Sequence, residues 1–168
     1  MQLILNRKTA YIGIGSNLGD PEENCLKSID RIRSIRDCSI KGISPFYATE
    51  PVGVRGHDWY VNGVVSVITG LSARSLLEEL LTVEEDFGRV RKGHWEPRVI
   101  DLDIIFFGSD IIDEEGLIVP HPLMHERRFV IAPMADLAPE MIHPLLGKKM
   151  SELLREIPGN VQIVKRMR

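Results

Sequence analysis

Hydrophobic and polar positions along the chain alternate between two periods. Residues 9–17, TAYIGIGSN, and 60–69, YVNGVVSVIT, are apolar runs rich in β-branched residues, which predicts strands with buried faces. SIKGISPFYA, residues 39–48, is expected to be a further strand, with Pro45 marking an edge or a bulge because it has no backbone donor. Elsewhere the period lengthens. After a turn at Asn17 and Gly19, Asp20 can cap a helix whose first position suits Pro21 and whose first turn carries Glu22 and Glu23. Leu26, Ile29, Ile32 and Ile35 form its expected buried stripe. SARSLLEELLTVEEDFG, residues 72–88, is a second helix, capped by Ser72 and stopped at Gly88.

The next element poses a problem. Residues 97–107, PRVIDLDIIFF, have the composition of a strand buried on both faces, yet contain Asp101 and Asp103. Side chains alternate along a strand, so both acids must point the same way. Two carboxylates that close repel, and burying either without compensation is costly. Something positive has to face them. The pair either holds a cation or meets arginines at a strand end.

The order to this point, β-α-β-β-α-β, predicts an α+β fold: a ferredoxin-like antiparallel sheet backed by helices. Extra C-terminal elements follow, with a loop at IVPHPLMHER, a short helix through RRFVIAPMADL, a helix at KMSELLREI and a strand at VQIVKR. Residues 1–168 read as one domain, without repeats or a linker. This plan hosts enzymes, ligand sensors and RNA binders alike, so function must come from the site.

Composition narrows the field. A net charge of -3 gives no reason to expect binding to nucleic acid or to an acidic membrane surface, and no apolar run is long enough to span a bilayer. Basic residues follow the first apolar cluster, the wrong order for a signal peptide. Cys25 and Cys38 match no metal spacing, and a reduced, cytoplasmic protein is the simpler expectation.

Candidate chemistry gathers around the two acids. Mg2+ prefers oxygen ligands and is usually held by one or two carboxylates together with substrate phosphates. Arg89, Arg91, Lys92 and Arg98 crowd into the segment just before the acids, and guanidinium forks suit phosphate oxygens. No GxxxxGK[ST] motif is present, which excludes a P-loop. Asn62 is an amide in an apolar strand and could pair with a heterocycle, while Tyr60 or Phe129 could stack on its rings. These residues suggest a Mg-nucleotide site beside an aromatic pocket and name no substrate.

The stretches YIGIGSNLGD, FYATEPVG, YVNGVV, FGRVR, WEPRVIDLDIIFFG and VPHPLMHERRFV closely resemble the 6-hydroxymethyl-7,8-dihydropterin pyrophosphokinases of folate biosynthesis. The resemblance implies transfer of pyrophosphate from ATP, the co-substrate, to the pterin hydroxymethyl group, releasing AMP. It implies that Asp101 and Asp103 bind two Mg2+ ions and are catalytic, with Arg89 and Arg98 also catalytic. Arg91, Arg98, Trp95, His121 and Arg127 are implied on the ATP side. Glu84 is counted with them, although it matches a carboxylate near the pterin. Gly15, Thr49, Val52, Tyr60, Asn62, Trp95 and Phe129 are implied around the pterin. Three positions depart from the pattern: His94 precedes the tryptophan where some members carry arginine, Pro122 replaces an aromatic, and Gly116 replaces an arginine found in some members.

Overall fold

The computed structural model describes residues 6–51, 56, 58–88, 99–160, 162 and 164–168. Its elements are β1 (Lys8–Ser16), α1 (Pro21–Arg33), β2 (Cys38–Ile43), β3 (Tyr47–Thr49), β4 (Tyr60–Thr69), α2 (Ala73–Asp86), β5 (Asp101–Phe107), β6 (Ile112–Glu114), β7 (Leu117–Val119), α3 (Arg128–Leu137), α4 (Met150–Glu156) and β8 (Val164–Arg166). A 3-10 turn, Met124–Glu126, precedes α3. The main sheet runs β5-β1-β4-β3-β8, with β2 also on β4, and every pairing is antiparallel. β6 and β7 make a separate hairpin. The architecture is α+β: among the described residues, an antiparallel sheet with four helices. Among the described residues, no helix is long and apolar enough to cross a membrane.

Local chemistry starts both early helices as expected. Asp20 accepts the Glu23 N–H at 3.0 Å with Pro21 just inside α1, and Ser72 accepts the Ser75 N–H at 3.1 Å to open α2. α2 ends before Gly88, whose φ of 80° lies in the left-handed region that glycine adopts without strain. One expectation for α1 needs correcting. Leu26 is 51% exposed, and the buried stripe runs through Cys25, Ser28, Ile29 and Ile32, with Ile35 just beyond the helix. Those residues fall at i, i+3, i+4 and i+7 on one face, and Leu26 lies a step outside it.

The strand expected over residues 39–48 is interrupted. Ser44 keeps both bonds to Val64, its N–H to the Val64 carbonyl and its Oγ to the Val64 N–H, each at 2.9 Å. Pro45 then has no donor to offer, and pairing with β4 resumes at Tyr47. The hairpin of β6 and β7 was not expected. Its three-residue strands are too short to show an alternation, and Gly116 turns between them with φ 73°.

Each face of the sheet carries its own core. Ile12, Ile14, Val65, Val67, Leu102 and Ile104 pack with Ile29, Ile32, Leu76 and Leu80 of α1 and α2. On the other face Val64, Ile105 and Phe106 pack with Ile131, Met134, Met150 and Leu153 of α3 and α4. The register of β5 against β1 slips between Tyr11 and Ile12, leaving Ile105 as an extra residue. Ile105 and Phe106 therefore both enter the second core, and Phe107 returns to the first. The Tyr47 hydroxyl donates to the Asp136 carboxylate, tying β3 to α3, and burial with that carboxylate pushes the phenol up to about 12.

His143 pins the loop after α3. Its ring is 3% exposed, and its Nδ1 accepts the Leu145 and Leu146 N–H groups, each at 3.2 Å. A ring that accepts at Nδ1 is neutral, and burial together with nearby His125 holds its pKa below the ordinary value. His121 is shifted the same way, chiefly by burial. The unfolded chain therefore takes up protons first as pH falls. We predict that folding stability is held above about pH 6.5 and declines as pH drops through the lowered folded values. Urea unfolding at a series of pH values should show a shallower decline for His143→Gln than for the wild type. Parallel curves would mean that His143 contributes nothing to the slope.

Candidate active site

The ends of four strands meet at one corner of the main sheet. Gly15, near the end of β1, lies opposite both Asn62 of β4 and Asp101 of β5, and Asn62 in turn lies opposite Tyr47 of β3. Directly opposed residues of an antiparallel sheet share a face, so Asp101, Gly15, Asn62 and Tyr47 form one row. The next row on that face is Asp103, Gly13 and Val64. Val64 belongs to the core under α3 and α4, which places both acids on the α3 side of the sheet. Asp101 is half-buried and Asp103 exposed.

Both cross-strand neighbours of the acids on β1 are glycines. Neither Gly13 nor Gly15 puts a side chain beside the carboxylate it faces, and over Gly13 the Ile105 side chain takes the space, 3.2 Å from where a Cβ would lie. Gly15 has a second reason to lack a side chain. A Cβ there would lie 2.7 Å from Oδ1 of Asn62, closer than real Cβ contacts come. The Asn62 amide is held by its other end, where Nδ2 donates to Oγ1 of Thr49 at 2.6 Å. Asn62 is 8% exposed and Thr49 1%. Tyr60, half-buried, lies opposite Thr49.

β5 is anchored on both sides of its first residue. The Ser16 hydroxyl donates to the Val99 carbonyl at 2.5 Å, tying the lead-in of β5 to the end of β1. Glu84, at the C-terminal end of α2, is 1% exposed and accepts the Leu102 N–H at 2.8 Å. Farther along, the His121 N–H donates to the Ile105 carbonyl at 3.0 Å. The His121 ring accepts the Leu123 N–H at Nδ1, 3.3 Å away. Burial lowers its pKa first and the Arg127 cation lowers it further, while Asp101 acts in the opposite direction. These three groups therefore share one electrostatic neighbourhood. The Arg127 guanidinium also stands 5.7 Å from the centre of the Phe129 ring, in the first turn of α3.

The structure thus gathers Gly15, Thr49, Tyr60, Asn62, Asp101 and Asp103 on the sheet, with His121 and Arg127 in the segment that leads into α3 and Phe129 beside Arg127 in its first turn. Glu84 reaches the same strand from behind. Val52, Arg89, Arg91, Trp95 and Arg98 lie outside the described residues, as does the Lys92 of the basic cluster. Sequence reasoning missed Gly13 and Ser16. The signal for Gly13 was available in the G-x-G spacing of YIGIG, which matches the D-x-D spacing of DLD.

The donor set suits a hard cation. Among the described residues no group of three or more His, Cys, Asp or Glu could hold a metal by itself. A cation at Asp101 and Asp103 would rest on two carboxylates and complete its shell with water or phosphate oxygens, the usual arrangement for Mg2+. Paired oxygen donors on one strand, beside a fixed amide and aromatic rings, are groups that a metal-assisted nucleotide-dependent transferase could use.

Comparison with known proteins agrees and is more specific. Residues 11–139 match the family model for 7,8-dihydro-6-hydroxymethylpterin-pyrophosphokinase. The 2-amino-4-hydroxy-6-hydroxymethyldihydropteridine pyrophosphokinase of Pseudomonas aeruginosa is 38% identical over 148 residues, covering 88% of this chain and 91% of its own. The Haemophilus influenzae enzyme of the same name is 40% identical over 155 residues, covering 92% and 96%. A folic acid synthesis protein of Dictyostelium discoideum is 39% identical over 153 residues, covering 90% of this chain but 23% of its own length. Among solved structures, wild-type Plasmodium falciparum HPPK-DHPS superposes with a TM-score of 0.71 at 13% identity, covering 90% of this chain and 45% of that one. That likeness speaks for the fold alone, and this chain spans less than half of it. The chain belongs to the 7,8-dihydro-6-hydroxymethylpterin-pyrophosphokinase family. It is an ATP-dependent pyrophosphokinase of folate biosynthesis.

The contact at Gly15 can be tested directly. Gly15→Ala is expected to push the Asn62 amide aside and break its bond to Thr49. Overpacking and a lost buried hydrogen bond together should cost about 1–3 kcal/mol of stability in urea unfolding. An unshifted Asn62 side-chain amide resonance in the variant would show that the close approach is absent in solution.

Proposed function

We propose that this chain binds ATP and 6-hydroxymethyl-7,8-dihydropterin at the corner formed by β1, β3, β4 and β5, using two Mg2+ ions held by Asp101 and Asp103. The observation that carries the reading is the pair of acids on one strand face, each opposite a glycine. When bound, the ions would draw the triphosphate and the attacking hydroxyl together and offset charge developing at the transferred phosphorus.

The remaining roles belong to the chain. Arg89, Arg91 and Arg98 grip phosphate oxygens through guanidinium forks, Arg89 and Arg98 at the group being transferred. Trp95 contributes to both substrate sites from the same segment, and Val52 lines the pterin edge. Neutral His121 accepts at Nδ1, so its proton sits on Nε2, free to donate to a phosphate oxygen near Arg127. Asn62, steadied by Thr49, pairs with the edge of the pterin beside Gly15, while Tyr60 and Phe129 flank its ring. Residues 1–168 act as one domain. Its ferredoxin-like plan is supported by the strand order β5-β1-β4, completed by β2 and β3 as the two halves of one interrupted strand. The free Cys25 and Cys38 suit a cytoplasmic setting.

Two predictions follow from these roles. With MgATP and the hydroxymethyl dihydropterin, the nucleotide product should be AMP, and Asp101→Ala or Asp103→Ala should lower turnover by roughly a hundredfold or more while the protein still folds. ADP as the direct product, or near-normal turnover of either variant at saturating Mg2+, would overturn the assignment. Phe129→Ala should weaken pterin binding more than ATP binding, since stacking contributes about 0.5–1.5 kcal/mol beyond burial and serves the pterin alone. Calorimetry with each ligand would check this. Equal losses would place Phe129 in the core, not in the pocket wall.

A further inference from the structure

Glu84 is a carboxylate in an adverse place. It is 1% exposed and sits in the last turn of α2, where the helix carbonyls present negative potential. Burying a carboxylate there is costly unless hydrogen bonds compensate. Its side chain points from the face of α2 that carries Leu76, Leu80 and Val83, all packed on the core that also holds Leu102 and Ile104. Its Oε1 accepts the N–H of Leu102 at 2.8 Å. Leu102 is the single residue between Asp101 and Asp103.

β5 stands at the end of the strand order, with β1 on one side. On such an edge the backbone groups lack a ladder to hold them. Among the described residues the edge is fastened at two points, by Glu84 at the Leu102 N–H and by the His121 N–H at the Ile105 carbonyl. The first point matters most for the acids. The amide that Glu84 holds belongs to the planar peptide joining Asp101 to Leu102, and Asp103 follows one residue later. A site needs its groups held to about half an ångström, so slack in this peptide would spread both carboxylates.

We propose that Glu84 is a positioning residue: it acts on the metal-binding pair through the Leu102 amide and does not itself contact ATP. This rests on the reading of Asp101 and Asp103 as metal ligands. The test compares wild type, Glu84→Ala and Glu84→Gln. Mn2+ binding in the presence of a nonhydrolysable ATP analogue, followed by electron paramagnetic resonance, reports metal affinity without turnover. In Glu84→Ala the Mn2+ dissociation constant is expected to rise about tenfold or more, the usual effect of removing a group that supports metal ligands. Metal-free affinity for the analogue should not change. Glu84→Gln keeps an oxygen that can accept the same N–H and should bind Mn2+ within about threefold of wild type. If Glu84→Ala does not fold, Glu84→Gln decides alone. A glutamine variant with a tenfold loss, or an alanine variant that loses nucleotide affinity and keeps its metal affinity, overturns the proposal. Hydrogen exchange at the Leu102 amide, measured without ligands, separates this claim from its parent. Faster exchange in Glu84→Ala is expected, and unchanged exchange refutes the anchoring whatever the activity. A wild type that forms no AMP sinks only the parent reading.

Discussion

The arrangement of this molecule turns on one repulsion. Asp101 and Asp103 share a strand face, and unit charges about 6 Å apart repel by about 0.7 kcal/mol in water and about 3 kcal/mol at an effective dielectric constant of 20. The difference decides where the pair can sit. Deep in the sheet the larger cost would apply, together with desolvation of each carboxylate. At the mouth of β5, with Asp103 exposed and Asp101 half-buried, the smaller of the two costs is the nearer one. The same strand still serves as core. Leu102 and Ile104 face the first core between and beyond the acids, and the bulge at Ile105 sends Ile105 and Phe106 into the second core and Phe107 into the first.

The glycines of β1 belong to the same solution. In a strand interior glycine is usually a weakness, since it packs poorly and loses more backbone entropy than other residues. Gly13 and Gly15 accept that cost where side chains would press on Ile105 and on the Asn62 amide. Gly15 has a further task on its other side, because β1 lies between β5 and β4. There the missing Cβ makes room for the Asn62 carboxamide, whose opposite end is fixed by Thr49. One glycine thus separates a charged half of the corner from a neutral, hydrogen-bonding half. That division suits the proposed placement of a polyphosphate on one side and a flat heterocycle on the other.

Much of this was legible in the chain. The direction of Asp101 and Asp103 followed from strand alternation alone, and β4 and the caps Asp20 and Ser72 fall where residue chemistry put them. The failures have physical causes. Leu26 was placed in the stripe of α1 because leucine is usually core, whereas helix geometry favours the smaller Cys25. The break between β2 and β3 was visible as Pro45, but Ser44 could not be foreseen replacing a ladder bond with its side chain. β6 and β7 were too short for periodicity to register. The Glu84 hydrogen bond was the least accessible. Its partner is a backbone N–H eighteen residues away, and a backbone group carries no mark in the sequence.

The Glu84 bond also bears on the candidate site's place at an edge. An interior strand would hold its carboxylates rigidly, because both of its backbone edges would be paired, but it would also enclose them. An edge strand leaves an approach for a large anionic substrate and gives up half of its backbone support. β5 recovers the support without closing the approach. A side chain from α2 takes the Leu102 N–H from behind, on the face opposite the acids, and the segment before α3 supplies the His121 N–H farther along. The edge is thereby fastened by groups that come from the protein's own core side and from the neighbouring loop. Charge, access and rigidity make conflicting demands on two aspartates, and an edge strand with borrowed hydrogen bonds meets all three.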